Sequence, residues 1–210
     1  MIADVRSVYL IRHGETDWNE QRRIQGHSES SLTLTGITQA RHAGDQLKSI
    51  HFDHIYCSPS QRTRQTLDII LAKLTHSAAI HFEPALKEIY LAHWEGRLHA
   101  EVAAAEPDRY EHYLHQPQLF SIANGESYFD LQQRAWNWFN DVVYQQSFRN
   151  ILIISHGVWI RTLLARISAT AIEQLDQVPR LDNCEIRVII IDRELKLQLK
   201  DHYAVSTNSQ

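Results

Sequence analysis

Cysteine, methionine, proline and glycine are all scarce in this chain, at two, one, five and seven among 210 residues. Cys57 and Cys184 do not stand at metal-ligand spacing, so the sequence offers neither a disulfide framework nor a cysteine-built zinc site. Two structural thiols in a reducing compartment are expected instead. Glycine and proline build no repeat, low-complexity tract or linker. No apolar run approaches the roughly 20 residues that a membrane helix requires, which argues against a transmembrane segment. An excess of positive charge is missing too. A formal net charge of −4 gives no general attraction to nucleic acid or to anionic membrane surfaces, so an anionic substrate would need a local positive site. Met1-Ile2-Ala3-Asp4-Val5-Arg6 lacks the regions of a signal peptide, and a cytoplasmic location is expected.

What is present is ordinary for a soluble globular protein: 43% hydrophobic and 22% charged residues. One domain over residues 1–210 is expected, with an elaborated cap. Three short apolar runs each end in polar residues. They are Val8-Tyr9-Leu10-Ile11 before Arg12-His13-Gly14, His54-Ile55-Tyr56 before Cys57-Ser58-Pro59, and Ile151-Leu152-Ile153-Ile154 before Ser155-His156-Gly157. Such runs suit strands buried on both faces of a parallel sheet. Amphipathic helical patterns lie between them over Thr35–Leu47, Ser60–Leu74, Glu126–Tyr144 and Val158–Ile167. Ile186–Ile191 and Leu195–Leu199 predict a closing hairpin or edge pair, and Ser206–Gln210 a frayed end. The stretch from about 99 to 122 has no strand pattern and predicts short helices forming a cap or lid. The order of elements implies an α/β three-layer sandwich, its central sheet mostly parallel, with helices on both faces.

In open parallel sheets ligands bind beyond the carboxyl ends of the strands, which would bring Arg12-His13, Ser58 to Arg62 and Ser155-His156-Gly157 to one crevice. Two arginines and two histidines beside helix N-termini suit a phosphate, since guanidinium groups grip its oxygens bidentately and helix N–H groups add donors. Leu10-Ile11-Arg12-His13-Gly14-Glu15-Thr16 with Trp18-Asn19 resembles the signature of the histidine phosphatase superfamily, the phosphoglycerate mutase-like proteins. Ser58 to Thr66 is similar to the family's second arginine segment, Glu88 through Trp94-Glu95-Gly96 to its acid/base segment, and Ser155-His156-Gly157 to its second histidine. The likeness runs from about Val8 to about Ile191.

The resemblance implies that His13 attacks phosphorus as a neutral imidazole whose other nitrogen is held by an acceptor. Arg12, Arg62 and His156 would surround the equatorial oxygens, His156 being useful there when protonated. Glu88 would protonate the leaving alkoxide and then take a proton from the attacking water. Glu95 ranks below it as the acid, and Arg64 would point outward. Asn19, Gln25, Gly26 and Gly157 would bind substrate or phosphate, and Trp18, Tyr90, Trp94 and Tyr128 either line the pocket or pack the core. Where the family often has glycine two residues before the tryptophan, this chain has Ala92, a departure that bears on the local turn. The long insertion of the true mutases is missing, which favours a phosphatase acting on a small-molecule phosphomonoester.

Rival chemistries fit less well. A cysteine phosphatase needs five residues between nucleophile and arginine, and four separate Cys57 from Arg62. Neither a Walker loop nor a His-Glu-x-x-His pair is present, and the pairs His51/His54 and His112/His115 lack a carboxylate arrangement, so no metal and no cofactor is expected. Other histidines, such as His76, His81 and His202, are read as surface or satisfied core. A phosphoglycerate mutase-type phosphotransferase and a catalytically silent phospho-ligand-binding module remain as alternatives. Oligomeric state is undecided, with a homodimer allowed for.

Overall fold

The computed structural model describes residues 5–75 and 77–200. The expected frayed end and the readings made at Met1–Asp4, His76 and His202 lie outside the described residues. The strands are β1 (Arg6–Arg12), β2 (His54–Cys57), β3 (Ala79–Phe82), β4 (Asn150–Ser155), β5 (Ile186–Ile191) and β6 (Leu197–Lys200). The helices are α1 (Asp17–Glu20), α2 (Leu34–Leu47), α3 (Gln61–Leu71), α4 (His99–Ala105), α5 (Pro107–His115), α6 (Tyr128–Trp138) and α7 (Gly157–Ile167).

The six strands form one sheet in the order β3-β2-β4-β1-β5-β6. The first four are mutually parallel, β5 runs antiparallel to β1, and β6 antiparallel to β5. Alternation of side chains along a strand builds two cores from one apolar run. In β1, Val8 and Leu10 join a cluster with α6 and α7, whereas Tyr9 and Ile11 join one with α2 and α3. In β4, Ile151 and Ile153 divide from Leu152 and Ile154 in the same way. Each fully buried Ile or Leu on these faces contributes on the order of 1.5–3 kcal/mol. The strands are apolar throughout because both faces are covered.

Helix starts follow capping chemistry. The Thr33 hydroxyl accepts from Gly36 N at the start of α2, and the Ser127 hydroxyl from Asp130 N at the start of α6. The pattern expected over Glu126–Tyr144 splits: α6 ends at Trp138 and the chain continues as a wider π-type turn over Phe139–Tyr144. The helix expected over Ser60–Leu74 is shorter, with Ser60 at its N-cap and its end at Leu71. Strand β3 was not anticipated. It is an edge strand with Ile80 and Phe82 exposed, so it lacks the continuous apolar run of a central strand. The stretch 99–122 holds α4, α5 and a 3₁₀ turn at Pro117–Leu119. Tyr113 packs edge-on against Trp94 at 5.7 Å and tilted against Phe120 at 5.3 Å, tying these helices to the α6/α7 side of the sheet. No helix among the described residues is long and apolar enough to cross a membrane.

Candidate active site

Arg12 pairs with Ser155 and Cys57 with Ile154, so β1, β2 and β4 end at one level. The residues that follow, His13, Ser58 and His156, therefore meet above the sheet. Backbone bonds continue past the strand ends and fix them there: His13 N donates to Ser155 O at 3.1 Å and Ser58 N to Ile154 O at 3.0 Å. The His13 carbonyl is held by Asn183 Nδ2 at 2.8 Å, and Gly14 N donates to Thr66 Oγ1 at 3.0 Å.

His13 Nδ1 lies 2.8 Å from the Gly14 carbonyl. A carbonyl can only accept, so Nδ1 carries the proton and Nε2 keeps its lone pair. The His156 ring is 5.3 Å away, and its Nε2 meets Ser58 Oγ at 2.8 Å. Burial first, and then the Arg62 guanidinium, hold both imidazoles well below the ordinary value. His156, read as useful when protonated, is thus held neutral while the pocket is empty. In the ligand-free pocket the charge it would carry has no counterion, and it becomes favourable only when an anion arrives.

Arg62 is fully buried and Arg12 half-buried, and both are anchored. Arg12 Nη1 donates to Leu181 O at 2.8 Å; Arg62 Nη1 and Nη2 donate to Ser28 O and Gly26 O at 2.9 and 2.8 Å. The Nε of each is buried without a hydrogen-bond partner among the described residues. Burial lowers both guanidinium pKa values and the Glu88 charge opposes this. Glu88 sits against the start of α7: its Oε1 accepts from Ile89 N and Trp159 N, and its Oε2 from Val158 N, at 2.9 to 3.0 Å. Its backbone is clamped as well. Arg134 donates to the carbonyls of Ala85, Lys87 and Glu88 and to the Glu126 carboxylate, while His27 Nε2 donates to Glu88 O.

One cavity of about 250 Å³ is lined by Arg12, His13, Arg62 and Glu88 together with Asn19, Gln25, Gly26 and Gly157. His156 does not reach its wall; it is completely buried beneath His13. The Asn19 Oδ1 accepts from Thr16 N and Thr16 Oγ1, which closes a capping box on α1. Gly26 has a φ of +54°, and a methyl group there would collide with the Glu95 carboxylate. That carboxylate accepts from the backbone N–H groups of His27, Ser28 and Leu91, so Glu95 shapes the loop that carries Gly26. Ala92 has a φ of +48°, the left-handed region that glycine would occupy without strain.

Of the aromatic candidates, Tyr128 lines the cavity, whereas Trp94 is core, Trp18 packs over Gly96 and Tyr90 stacks on His27. Arg64 is exposed and lies over the Phe82 ring at 4.5 Å. Cys57 and Cys184 are free and buried, and burial pushes both thiols up to about 12, which leaves them inert. His54 and His81 face each other at 3.3 Å, and no three His, Cys, Asp or Glu side chains among the described residues gather as a metal's ligands would. Sequence reasoning missed Arg23, His99, Tyr113, Arg161 and Arg180 in the cavity wall. Arg161 was within reach, since it lies one helical turn beyond Gly157 on the face that Gly157 presents. Arg180 carried no such signal.

The geometry is a pocket for an anion beside a poised imidazole. A profile of the histidine phosphatase superfamily (branch 1) matches residues 8–200. The chain belongs to that superfamily. It is 35% identical over 179 residues to a probable phosphoglycerate mutase of Proteus mirabilis, covering 85% of this chain and 82% of the relative. To the adenosylcobalamin/alpha-ribazole phosphatase of Escherichia coli K12 it is 29% identical over 160 residues, covering 76% and 78%. The solved structure of Bacillus stearothermophilus YhfR superposes with a TM-score of 0.89 at 32% identity, over 96% of this chain and 98% of that one. Membership of this superfamily, together with phosphatase-named relatives, makes the chain a phosphatase-type enzyme.

Proposed function

We propose that the protein hydrolyses small phosphomonoesters in two steps, without a metal, through a phosphohistidine at His13. The observation that carries this reading is the His13 imidazole, neutral, fixed by the Gly14 carbonyl and aimed with a free Nε2 into a cavity walled by Arg12 and Arg62. In the first step the Nε2 lone pair forms a bond to phosphorus as the ester P–O bond breaks, and Glu88 gives the leaving oxygen its proton. In the second, water adds to phosphorus, its proton passes to Glu88, and the P–N bond returns its electron pair to Nε2. Arg12 and Arg62 carry the positive charge that a metal would otherwise supply to the equatorial oxygens. His156 lies outside the cavity wall, with its Nε2 on Ser58 Oγ, so a dianionic phosphate would favour its protonated form through space and not by direct contact.

The Proteus mirabilis relative favours a second reading, a mutase returning the phosphoryl group to an isomeric hydroxyl. Water access argues for hydrolysis: the cavity that holds His13 is also lined by the exposed Arg180. The test is inorganic phosphate release in EDTA from p-nitrophenyl phosphate, phosphoserine, 3-phosphoglycerate and alpha-ribazole phosphate. Release is expected from at least one ester. Isomerised phosphoglycerate without net release would favour the mutase, and silence across the panel with phosphate still bound would favour a binding module.

A further inference from the structure

Five arginines line the cavity, namely Arg12, Arg23, Arg62, Arg161 and Arg180, against the single carboxylate of Glu88. The phosphoryl group accounts for Arg12 and Arg62. Arg23 is committed elsewhere, donating from Nε to Gln21 Oε1 and from Nη1 to the Gly96 carbonyl. Arg161 and Arg180 are left over. Among the described residues Arg161 spends only its Nε, on Val178 O at 2.8 Å, and neither Nη has a hydrogen-bond partner there. Arg180 makes no hydrogen bond and no ion pair among the described residues.

These two cations are held where they are. The segment Val178-Pro179-Arg180-Leu181 is pinned at both ends, since Val178 O accepts from Arg161 and Leu181 O accepts from Arg12. Pro179 fixes the backbone angle between the pins. Arg180 is thereby set beside the wall that Arg161 presents from α7, and the two like charges repel each other. Asp176 attracts Arg161 and Asp182 attracts Arg12, but neither aspartate lines the cavity or forms an ion pair with them. Tyr113 and Tyr128 complete this wall, their phenols kept neutral chiefly by burial, and so cannot supply the missing negative charge. Two half-free guanidinium groups facing one cavity without an acid form a receptor for an oxyanion.

We infer that Arg161 and Arg180 form a second anion subsite, and that the preferred substrate is a phosphomonoester bearing a further oxyanion on its carbon body. That oxyanion is a carboxylate or a second phosphate, both of which match the guanidinium fork. The inference rests on the phosphatase reading for the first phosphate, and the subsite would hold only the non-reacting end of the molecule.

Two matched comparisons test it. Phosphoserine differs from phosphoethanolamine by one carboxylate, and a hexose bisphosphate differs from the hexose monophosphate by one phosphate. In at least one pair the doubly anionic member should show a kcat/KM higher on the order of tenfold or more, the size expected for a charge-assisted contact. That ratio should collapse towards one in Arg161→Gln and in Arg180→Gln. Arg180 is exposed, so its variant serves even if Arg161→Gln misfolds. Discrimination in the first pair alone names a carboxylate, and in the second alone a phosphate. Ratios near one in both pairs, or ratios that survive both substitutions, would overturn the subsite. Calorimetric binding of the same esters to His13→Ala reads the ratio without turnover. If wild type releases phosphate from no ester, the hydrolytic reading fails while the binding ratio still decides the subsite.

Discussion

The floor of the pocket and its wall are built on different principles. In the floor, Arg12 ends β1, His13 follows it, Arg62 lies in the first turn of α3 and Glu88 caps α7, and each is tied to backbone groups at 2.8 to 3.0 Å. In the wall, Tyr113, Arg161 and Arg180 come from separate segments, and Arg180 is exposed. The floor is preorganised for one chemical group whatever carries it. The wall sets which molecule carries it, and there side chains can change without disturbing the sheet. Reaction and recognition are thus separated in the structure.

That comparison breaks most readily at the floor. His13→Ala should lower kcat by about 1000-fold or more while phosphate binding, followed by calorimetry, is partly kept; normal turnover would place the chemistry elsewhere. Glu88→Gln should slow esters of poor leaving groups by about 100-fold, within the range of general acid catalysis. Aryl phosphates should be slowed less, because their leaving oxygen needs a proton late, and equal slowing in a kcat series would remove Glu88 from the acid's role.

A gentler probe is pH. The folded state keeps His13 and His156 neutral below the ordinary imidazole value, so on acidification the unfolded chain gains protons first. The ligand-free protein is therefore fully stable above a pH of about 6.5 and loses up to about 1.4 kcal/mol per pH unit for each histidine below it, until the folded pKa is passed. Thermal melts from pH 7.5 down to 5 should show this loss, and inorganic phosphate should reduce it by pairing with the imidazolium. A flat profile without phosphate would mean that the floor is not dry. The smallest effect lies on the segment joining floor to wall. Ala92→Gly should raise stability by about 0.5–1 kcal/mol in denaturant melts, since glycine relieves the positive φ but frees the unfolded chain.

The same division explains what the sequence made legible. Buried parallel strands are written as continuous apolar runs, and the residues that end them must meet, so Arg12, His13 and His156 followed from a one-dimensional pattern. Arg62 came to the same crevice by that pattern, but its choice over Arg64, like the choice of Glu88, needed the family resemblance. Edge strand β3 was hidden because half of its surface faces water. The π-type turn after Trp138 was hidden because it keeps the amphipathic pattern of the helix it extends. The neutral state of His156 in the empty pocket was not legible, because burial and a neighbouring guanidinium are properties of the folded environment and not of spacing. Arg180 lies on an irregular segment whose position depends on backbone bonds to Arg12 and Arg161, and such bonds leave no periodicity.

The most direct test of covalent transfer at the floor is the stereochemical course at phosphorus, measured by hydrolysing an ester whose phosphorus is made chiral with oxygen isotopes and sulfur. Transfer to His13 and then to water is two in-line displacements and predicts net retention of configuration; net inversion would show that water attacks the ester directly and would contradict the account.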